Sequence, residues 1–369
     1  ISKQRIAEGD TILQRWQSFF DESFSRVLMI DRSCVILNFV RFVRITAAEH
    51  LGNLHRRIIG EMTIKKNNPK KFISLGACVV DTILKVPMLS TGDEKIMAKD
   101  GTIIGAGMAV AAAATTVSLG GSVKLWGRIG DDTPGDFFLK DLLSIGVDTS
   151  SIRRVPGART PMSSVLVDDT GQRLVVSYFD TSLGADTSWL PMNELDDVDC
   201  ILVDVRWPEG ASSIMNEAKK RGLLRVFDGD VADPSVLKEL APLSTHAIFS
   251  KPGFRLFSGS DNLEENLLEC TQSLGVLCGV TLGHEGFVWV ENGKINKISP
   301  PQINAIDTLA AGDVFHGAFA LGLCEGMPIK KAGQFACSAA AIKCTRFGGR
   351  KGIPNRQEVD ALVAATYGT

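Results

Sequence analysis

One short segment of the sequence combines the residue types that phosphoryl transfer requires. Asp307-Thr308-Leu309-Ala310-Ala311-Gly312-Asp313 runs directly into the apolar stretch VFHGAFALGL. Small side chains at Ala310, Ala311 and Gly312 would let backbone N–H groups approach a ligand, and a helix N-terminus favours negative charge. Asp313 could then accept a proton from a substrate hydroxyl while those amides hold a phosphoryl group. The sequence equally allows Asp313 to be only the cap of the helix, a common role for aspartate.

Charged residues and glycines also follow several apolar runs that have the character of strands. In open α/β sheets, ligands collect beyond the carboxyl ends of the strands, so these positions should come together. They are Asp81 after FISLGACVV, Arg206 after CILVDV, Asp228 and Asp230 after LLRVF, and Gly283 and Gly286 after LCGVTL. The set predicts a site for an anionic or polyhydroxylated ligand, although each residue alone could serve as a cap or turn.

The elements that position these residues alternate between strands and helices from residue 72 onward. FISLGACVV (72–80) and VKLWGRIG (123–130) are typical of strands, whereas GMAVAAAATTVSLG (107–120) and DFFLKDLLSIG (136–146) are typical of helices. Four more apolar runs lie between residues 200 and 283, with helical segments between most of them. This alternation predicts an α/β fold with a mainly parallel central sheet flanked by helices.

One pair of strands does not fit such a sheet. SSVLVDD and RLVVSYF, within residues 163–179, are separated by a turn at Thr170–Gly171 and predict a β-hairpin. We therefore expect a small β-sheet lid, formed by about residues 85–104 and 159–180.

Composition and missing motifs exclude several classes of protein. The net charge of −2 argues against a nucleic-acid partner, and no uncharged apolar run reaches the roughly 18 residues of a membrane span. The eight cysteines form no CxxC pair and the histidines lack metal-ligand spacing, so we expect no metal ligands in the chain and free thiols in a reducing cytoplasm. There is no GxxxxGK[ST] motif, which excludes a P-loop enzyme. Gly105-Ala106-Gly107 lacks the third glycine of a dinucleotide fingerprint, so a Rossmann dehydrogenase is only weakly supported.

Residues 1–61 differ in character from the rest, being rich in arginine, poor in lysine and without sustained periodicity. Met62 opens a Lys/Asn-rich stretch that leads into the first strand pattern. We predict that Met62 is the natural start and that residues 1–61 are an extension of unknown role that is not native. An accessory or targeting segment is the alternative, and mass spectrometry of the native N-terminus distinguishes the two.

The segment DTLAAGD resembles the C-terminal signature of the ribokinase-like (PfkB) carbohydrate kinases, Asp-Thr-x-Gly-Ala-Gly-Asp. GAGMAVAAAATTVSLG, GRIGDDTPGDFF and VTLGHEG resemble three other motifs of that family. Within the family, VDVRWPEGA, FDGDV, HAIFSKPG, GDVFHGAFA and KCTRFGGRKGIP are similar to the sulfofructose kinase subgroup. The resemblance implies a ribokinase-like fold over residues 62–369. It also implies an ATP-dependent, Mg²⁺-requiring kinase that forms the 1-phosphate of 6-deoxy-6-sulfofructose.

The resemblance also implies roles for individual residues. Asp313 would be the catalytic base, and the backbone of Ala310, Ala311 and Gly312 would form the anion hole. The expected sugar contacts are Asp81, Gly105, Ala106 and Gly107, and the expected ATP contacts are Thr281, Gly283 and Gly286. Lys95 and Arg206 match the cationic sulfonate positions, and Ser177 stands where the subgroup has an asparagine. The outer surface of the lid would pair with a second copy to give a homodimer.

Three departures from the family pattern bear on the substrate. Ala310 replaces the first glycine of the signature, and Ala111 replaces the usual asparagine of the N-terminal helix. Ser250-Lys251-Pro252-Gly253 replaces the Asn-x-x-Glu motif that is tied to magnesium. A kinase for another ketose or sugar phosphate, such as fructose, fructose 6-phosphate or ribose, therefore stays open. So does a non-catalytic, sugar-binding regulatory protein on the same scaffold.

Overall fold

A nine-stranded sheet forms the centre of the computed structural model, which describes residues 68–368 except 91 and 94. The predictions for residues 1–61 lie outside the described residues. The strands are β1 Lys71–Leu75, β4 Ser122–Gly130, β5 Ile152–Val155, β8 Cys200–Val203, β9 Leu224–Gly229, β10 His246–Ser250, β11 Leu277–Thr281, β12 Phe287–Glu291 and β13 Lys294–Ile298. They lie in the order β13-β12-β11-β10-β9-β8-β1-β4-β5, with antiparallel pairing only at β11–β12 and β12–β13. The predicted, mainly parallel sheet is confirmed.

Helices cover both faces of this sheet. Successive residues of a strand point to opposite faces, and accordingly Phe72 and Ile73 of β1 belong to two separate apolar cores. The helices, again within residues 68–368, are α1 Met108–Ser118, α2 Thr133–Ser144, α3 Pro208–Lys220, α4 Pro234–Leu240, α5 Lys251–Ser258, α6 Leu263–Leu274, α7 Ala311–Cys324, α8 Ile329–Cys344 and α9 Arg356–Tyr367. None of them is long and apolar enough to cross a membrane.

A second, four-stranded sheet lies beside the first. Its strands are β2 Val79–Lys85, β3 Asp100–Ala106, β6 Met162–Val167 and β7 Arg173–Tyr178, in the order β3-β2-β6-β7. The hairpin of β6 and β7 is confirmed. Ile83, Ile104 and Val165 pack from one face against Leu309 and Phe347. The opposite face is apolar and exposed, so the small sheet has one anchored face and one open face.

The prediction of a single strand over residues 72–80 is wrong. Strand β1 ends at Leu75, and β2 starts at Val79 in the other sheet. Between them the chain turns against a buried carboxylate: a Cβ at Gly76 would lie 2.1 Å from Asp204 Oδ2, and Ala77 N donates to that oxygen at 2.8 Å. Because of this break, Asp81 lies inside a strand of the small sheet rather than at the end of a strand of the large one.

Close helix packing positions the segment identified first in the sequence. Helices α1 and α7 approach so tightly that a Cβ at Gly317 would lie 2.4 Å from Ala112 O. Thr116 Oγ1 also donates to Gly317 O at 3.4 Å. Since Gly317 lies about one turn beyond Asp313, this contact fixes the height and rotation of the helix end that carries Asp313.

Candidate active site

An open pocket of about 1170 Å³ lies between the small sheet and the carboxyl edge of the large sheet. Parallel strands bring their following loops to one edge, which explains why residues distant in sequence meet here. The predicted site residues that line the pocket are Asp81, Ala106, Gly107, Ser177, Arg206, Thr281, Gly283, Ala310, Ala311, Gly312 and Asp313.

Three predicted residues are not among those that line the pocket. Lys95 is exposed on the segment between β2 and β3. Gly105 lies behind the wall, where its N–H donates to Asp141 Oδ2 at 2.6 Å and its carbonyl accepts from Arg350. Gly286 has φ 100° and approaches the backbone so closely that a Cβ would lie 1.9 Å from Ile298 O. The two glycines therefore shape the walls.

The N-terminus of α7 has the geometry of an anion-binding site. Ala310 adopts the left-handed conformation, φ 64°, and the helix begins at Ala311. First-turn N–H groups such as those of Gly312 and Asp313 lack intrahelical partners. A Cβ built at Gly312 meets nothing within 4 Å, so there is room for a tetrahedral anion against this backbone. The left-handed conformation of Ala310 costs about 1–2 kcal/mol relative to the ordinary helical region.

Asp313 is not the cap of this helix. The capping position is held by Ala310 without a side-chain hydrogen bond, and Asp313 is the third helical residue. Burial, together with the charge of nearby Asp228, raises the pKa of the Asp313 carboxyl well above its usual range, while His316 acts in the opposite direction. A carboxylate with a raised pKa is a stronger base, as proton abstraction from a hydroxyl requires.

His316 connects Asp228 to helix α7. Its Nδ1 lies 2.7 Å from Gly312 O and 3.3 Å from Asp228 Oδ2, and its Nε2 lies 3.1 Å from Ile248 O. Burial lowers the pKa of His316, whereas the two carbonyl acceptors and Asp313 oppose that shift. The ring thus links strands β9 and β10 to the first turn of α7, next to Asp313.

The small sheet presents a row of polar groups to the pocket. Asp81, Ser163 and Ser177 are neighbours across β2, β6 and β7. Ser163 Oγ lies 3.0 Å from Ser177 Oγ. Burial raises the pKa of Asp81 to about 6, and a hydrogen bond from Ser163 opposes this. One carboxylate and two hydroxyls in a row can bind the hydroxyls of a sugar.

Arg206 brings positive charge to the edge of the large sheet. Its backbone N donates to Asp204 Oδ1 at 2.7 Å, and its Nη1 donates to Val231 O at 3.0 Å. Its Nη2 lies 3.6 Å from Asp230 Oδ2. A guanidinium has five N–H donors, so these contacts leave donors for an anionic group of a ligand.

The glycine-rich turn after β11 forms another part of the wall. Thr281 Oγ1 donates to Phe249 O at 3.3 Å and thereby ties β11 to β10. Gly283 has φ 60°, and a Cβ there would meet nothing within 4 Å. The turn therefore leaves open space beside the pocket.

Comparison with known proteins decides the family. The model of the pfkB family carbohydrate kinases matches residues 69–356. The chain belongs to the pfkB family of carbohydrate kinases. Its general activity is therefore phosphoryl transfer to a carbohydrate.

Relatives of this kinase support the assignment over most of its length. The chain is 25% identical to the ribokinase of Schizosaccharomyces pombe, covering 78% of this chain and 96% of that protein. It is 25% identical to a fructokinase of Solanum tuberosum, covering 79% and 95%. A solved structure from Agrobacterium tumefaciens, assigned as a ribokinase, is 36% identical with a TM-score of 0.79, covering 81% and 98%. The predicted ribokinase-like fold is thus confirmed.

A bound Mg²⁺ would need phosphate oxygens of the nucleotide as ligands in addition to any protein side chain. In the described part of the chain, no group of three or more His, Cys, Asp or Glu side chains is arranged to hold a metal. At the position of the family's magnesium-linked motif, Ser250 Oγ donates to Asp230 Oδ1 at 2.8 Å, and Lys251 Nζ lies 3.5 Å from Glu285 Oε1. Mg²⁺ commonly takes one or two carboxylates plus phosphate oxygens. The half-exposed Asp230 in the pocket wall fits that requirement.

Sequence reasoning missed several residues of the site. Asp204 is fully buried and accepts N–H bonds from Ala77, Ala109 and Arg206, which joins three segments below the pocket. Arg173 at the start of β7 reaches across to Thr308 Oγ1 at 2.8 Å. Asp204 and Arg173 can be read in the sequence runs CILVDV and RLVVSYF, but no local pattern shows which groups they contact.

Two glycines on helix α7 should respond in opposite ways to the same substitution. We expect Gly312→Ala to keep the free energy of unfolding or raise it by up to about 1 kcal/mol, because the added methyl meets no protein atom. Its turnover should fall about a hundredfold or more, since the methyl fills the space of the phosphoryl group. We expect Gly317→Ala to lose about 1–3 kcal/mol of unfolding free energy, because its methyl clashes with the backbone of helix α1.

Urea denaturation and turnover, measured on both variants, check this pair. Full turnover by Gly312→Ala would remove the N-terminus of α7 from the phosphoryl site.

The buried Asp81 should make both stability and sugar binding depend on pH. The pKa of Asp81 is raised to about 6 in the folded chain. Stability is therefore greatest at a pH below the pKa that Asp81 has in the unfolded chain, and it is lost as the pH rises through about 6. Asp81→Asn should therefore have a larger free energy of unfolding than the unchanged protein at pH 8, by as much as about 2 kcal/mol, but not at pH 4. Its melting temperature should rise accordingly at pH 8 only. Sugar affinity should show the reverse, strengthening as Asp81 ionises.

Thermal melts and calorimetric sugar titrations across this pH range test the prediction, with the exposed Asp360→Asn on helix α9 as the control. A stability difference that does not change with pH would contradict it.

Proposed function

We propose that this kinase transfers the γ-phosphoryl group of ATP to O1 of 6-deoxy-6-sulfofructose. One observation carries the kinase chemistry: Asp313 and the uncovered helix end at Gly312 share a pocket with the polar row that starts at Asp81. A base, an anion hole and a sugar-binding surface are the parts that phosphoryl transfer to an alcohol requires.

The chain's own residues would act mainly by position and charge. Asp313 takes the proton of the O1 hydroxyl as O1 bonds to the γ-phosphorus, and the bond from that phosphorus to the bridging oxygen of ADP breaks. The N–H groups at the start of α7 hold the charge that spreads over the phosphoryl oxygens. Arg173 adds a cation next to them, since its Nη1 contacts Thr308 in the same loop. Bound Mg²⁺ would neutralise the nucleotide phosphates, with Asp230 as its protein ligand.

We place the adenosine end of ATP along the turn after β11. Thr281 and Gly283 line the pocket there, and the absence of a side chain at Gly283 leaves open ground for a nucleotide. Gly286 supports that turn through its close approach to Ile298 and makes no ligand contact in this proposal.

The sulfonate assignment depends on Arg206 and Ser177. Both line the pocket, and the planar guanidinium presents parallel donors that suit the oxygens of a tetrahedral anion. Asp230 lies 3.6 Å from the same guanidinium and offsets part of its charge. A singly charged sulfonate is therefore a better match than a doubly charged phosphate. Lys95 is outside the pocket wall, so this proposal gives it no sulfonate contact.

Ribose or fructose as the acceptor is the second candidate. Two of the relatives are named ribokinase and fructokinase, and neither of these two names implies an anionic sugar. A non-catalytic sugar-binding role is opposed by Asp313, because binding alone needs no buried base.

A panel of acceptors separates these substrates. We expect coupled ADP release to give the highest kcat/KM with sulfofructose, compared side by side with fructose, fructose 6-phosphate and ribose. Arg206→Gln should raise the KM for sulfofructose about tenfold to a hundredfold while the KM for fructose changes little, because a charge-assisted hydrogen bond contributes about 1.5–3 kcal/mol. Arg255→Gln, an exposed site on helix α5, is the matched control.

Equal effects of Arg206→Gln on both sugars would argue against a sulfonate contact. The highest kcat/KM with ribose or fructose would keep the mechanism and replace the substrate.

In the same assay, Asp313→Asn should lose about 10² to 10⁴ in kcat with sugar binding retained, which is the range for general base catalysis. Retained turnover by Asp313→Asn would exclude it as the base.

We also propose that the exposed face of the small sheet pairs with a second copy. Ile103, Met162, Leu174, Val176 and Tyr178 are apolar and 42–61% exposed on this face. Light scattering should give the mass of a dimer, and Val176→Asp should shift it to the monomer because a charge would be buried. A monomer for the unchanged protein would contradict the proposal.

A further inference from the structure

The last turn of helix α8 carries a lysine that is completely removed from solvent. Lys343 has no exposed surface; its Nζ donates to Asp307 O at 2.7 Å and lies 3.4 Å from Asp307 Oδ2. Burial lowers the pKa of Lys343, and the Asp307 carboxylate opposes that shift. Lysine is almost never fully buried without a partner, and the mechanism above uses neither residue.

Asp307 transmits the position of that ammonium to the pocket. Its Oδ1 accepts from Leu309 N at 2.8 Å, and its Oδ2 accepts from Gly348 N and Gly349 N at 3.0 Å each. Gly348 and Gly349 have φ values of 101° and 58°, which aim successive N–H groups at one carboxylate oxygen. Leu309 and Gly349 both line the pocket. One carboxylate therefore holds the loop that enters α7 and the turn that faces it.

The end of α8 is joined to the same loop by its backbone. Cys344 O accepts from Ile306 N at 2.7 Å and from Asp307 N at 3.1 Å. The lysine and these two hydrogen bonds together fix the residue from which the chain rises into Ala310 and the first turn of α7. A shift of Asp307 would move the N–H groups that are proposed to hold the phosphoryl group.

We propose that Lys343 is a positioning residue that acts as a tethered monovalent cation for the anion-hole loop. Its ammonium fills a position bounded by a carbonyl oxygen and a carboxylate oxygen of Asp307, which are the ligand types that free monovalent cations also take. The kinase should therefore need no free monovalent cation for turnover. The effect on catalysis rests on the anion-hole role of α7 proposed above, whereas the cation position itself does not.

The nature of the contact makes this role testable by chemical rescue. The lysine ammonium is a compact point charge on a flexible stem, so a small free cation can replace its charge once the stem is removed. Lys343→Ala removes the stem and the charge, and Lys343→Met keeps most of the volume without the charge. Lys331→Met, at an exposed position of the same helix, is the matched control.

The experiment measures turnover and melting temperature in tetramethylammonium buffer, with NH₄⁺, K⁺ or tetramethylammonium added at equal ionic strength. The unchanged kinase and Lys331→Met should be equally active and equally stable in all three. Lys343→Ala should lose about a hundredfold in kcat with a smaller change in KM, as expected for a misplaced catalytic loop. NH₄⁺ or K⁺ should restore at least about tenfold of that loss and raise its melting temperature. Lys343→Met should be rescued less, because its side chain fills the space.

Each contrary result overturns the proposal. Turnover of the unchanged kinase that requires K⁺ or NH₄⁺ would show that the lysine does not replace a free cation. A folded Lys343→Ala that keeps full turnover, or that no cation rescues, would leave the lysine with a structural role only. The test on the unchanged kinase stands even where the variants fail to fold. The melting temperatures of the variants, which need no acceptor, separate failure of this proposal from failure of the proposed substrate.

Discussion

Aspartates gathered at one edge of the large sheet are the constraint on which the rest of the site depends. Burial raises the pKa of both Asp228 and Asp313; the charges of Asp230 and Asp204 add to the shift of Asp228, and the charge of Asp228 adds to that of Asp313, so these carboxylates oppose one another's ionisation. Each needs donors to be tolerated away from water. Asp204 receives them from three backbone N–H groups, and Asp228 faces the ring of His316. The break after β1 and the packing of α1 and α7 supply those donors.

The two sides of the pocket divide the chemistry. The large sheet holds the carboxylates and the start of α7 on parallel strands that are buried on both faces, which makes them rigid. The small sheet has one anchored face and one exposed face, and it brings Asp81 and Arg173 over the pocket. A rigid large sheet covered by a smaller sheet suits a reaction that must keep water away from the phosphoryl group, as closing lids commonly do. The Arg173–Thr308 hydrogen bond joins the cover to the loop that enters α7.

Two buried ion pairs extend this organisation behind the pocket wall. Lys343 fixes Asp307, and Arg350 contacts both Asp141 and the carbonyl of Gly105. Each pair links a loop of the pocket to a helix outside it. Buried pairs contribute little net stability, because desolvation offsets most of their attraction, but removal of one partner is costly. Their value here is to define where the loops lie, which matters more to phosphoryl transfer than stability does.

The sequence by itself determined the α/β alternation, the hairpin and the segment that enters α7, because each is encoded in local periodicity and in small residues next to Asp313. It also allowed most residues of the pocket wall to be assigned to the carboxyl edge of the large sheet, since parallel strands place their following loops together. Tertiary structure alone decided that 72–80 is two strands, that Asp313 is not a cap, and that Lys95 and Gly105 do not line the pocket. It also decided the pairings of Lys343 and Arg173. Those outcomes depend on which distant backbone groups meet a buried charge, and no local pattern records that meeting.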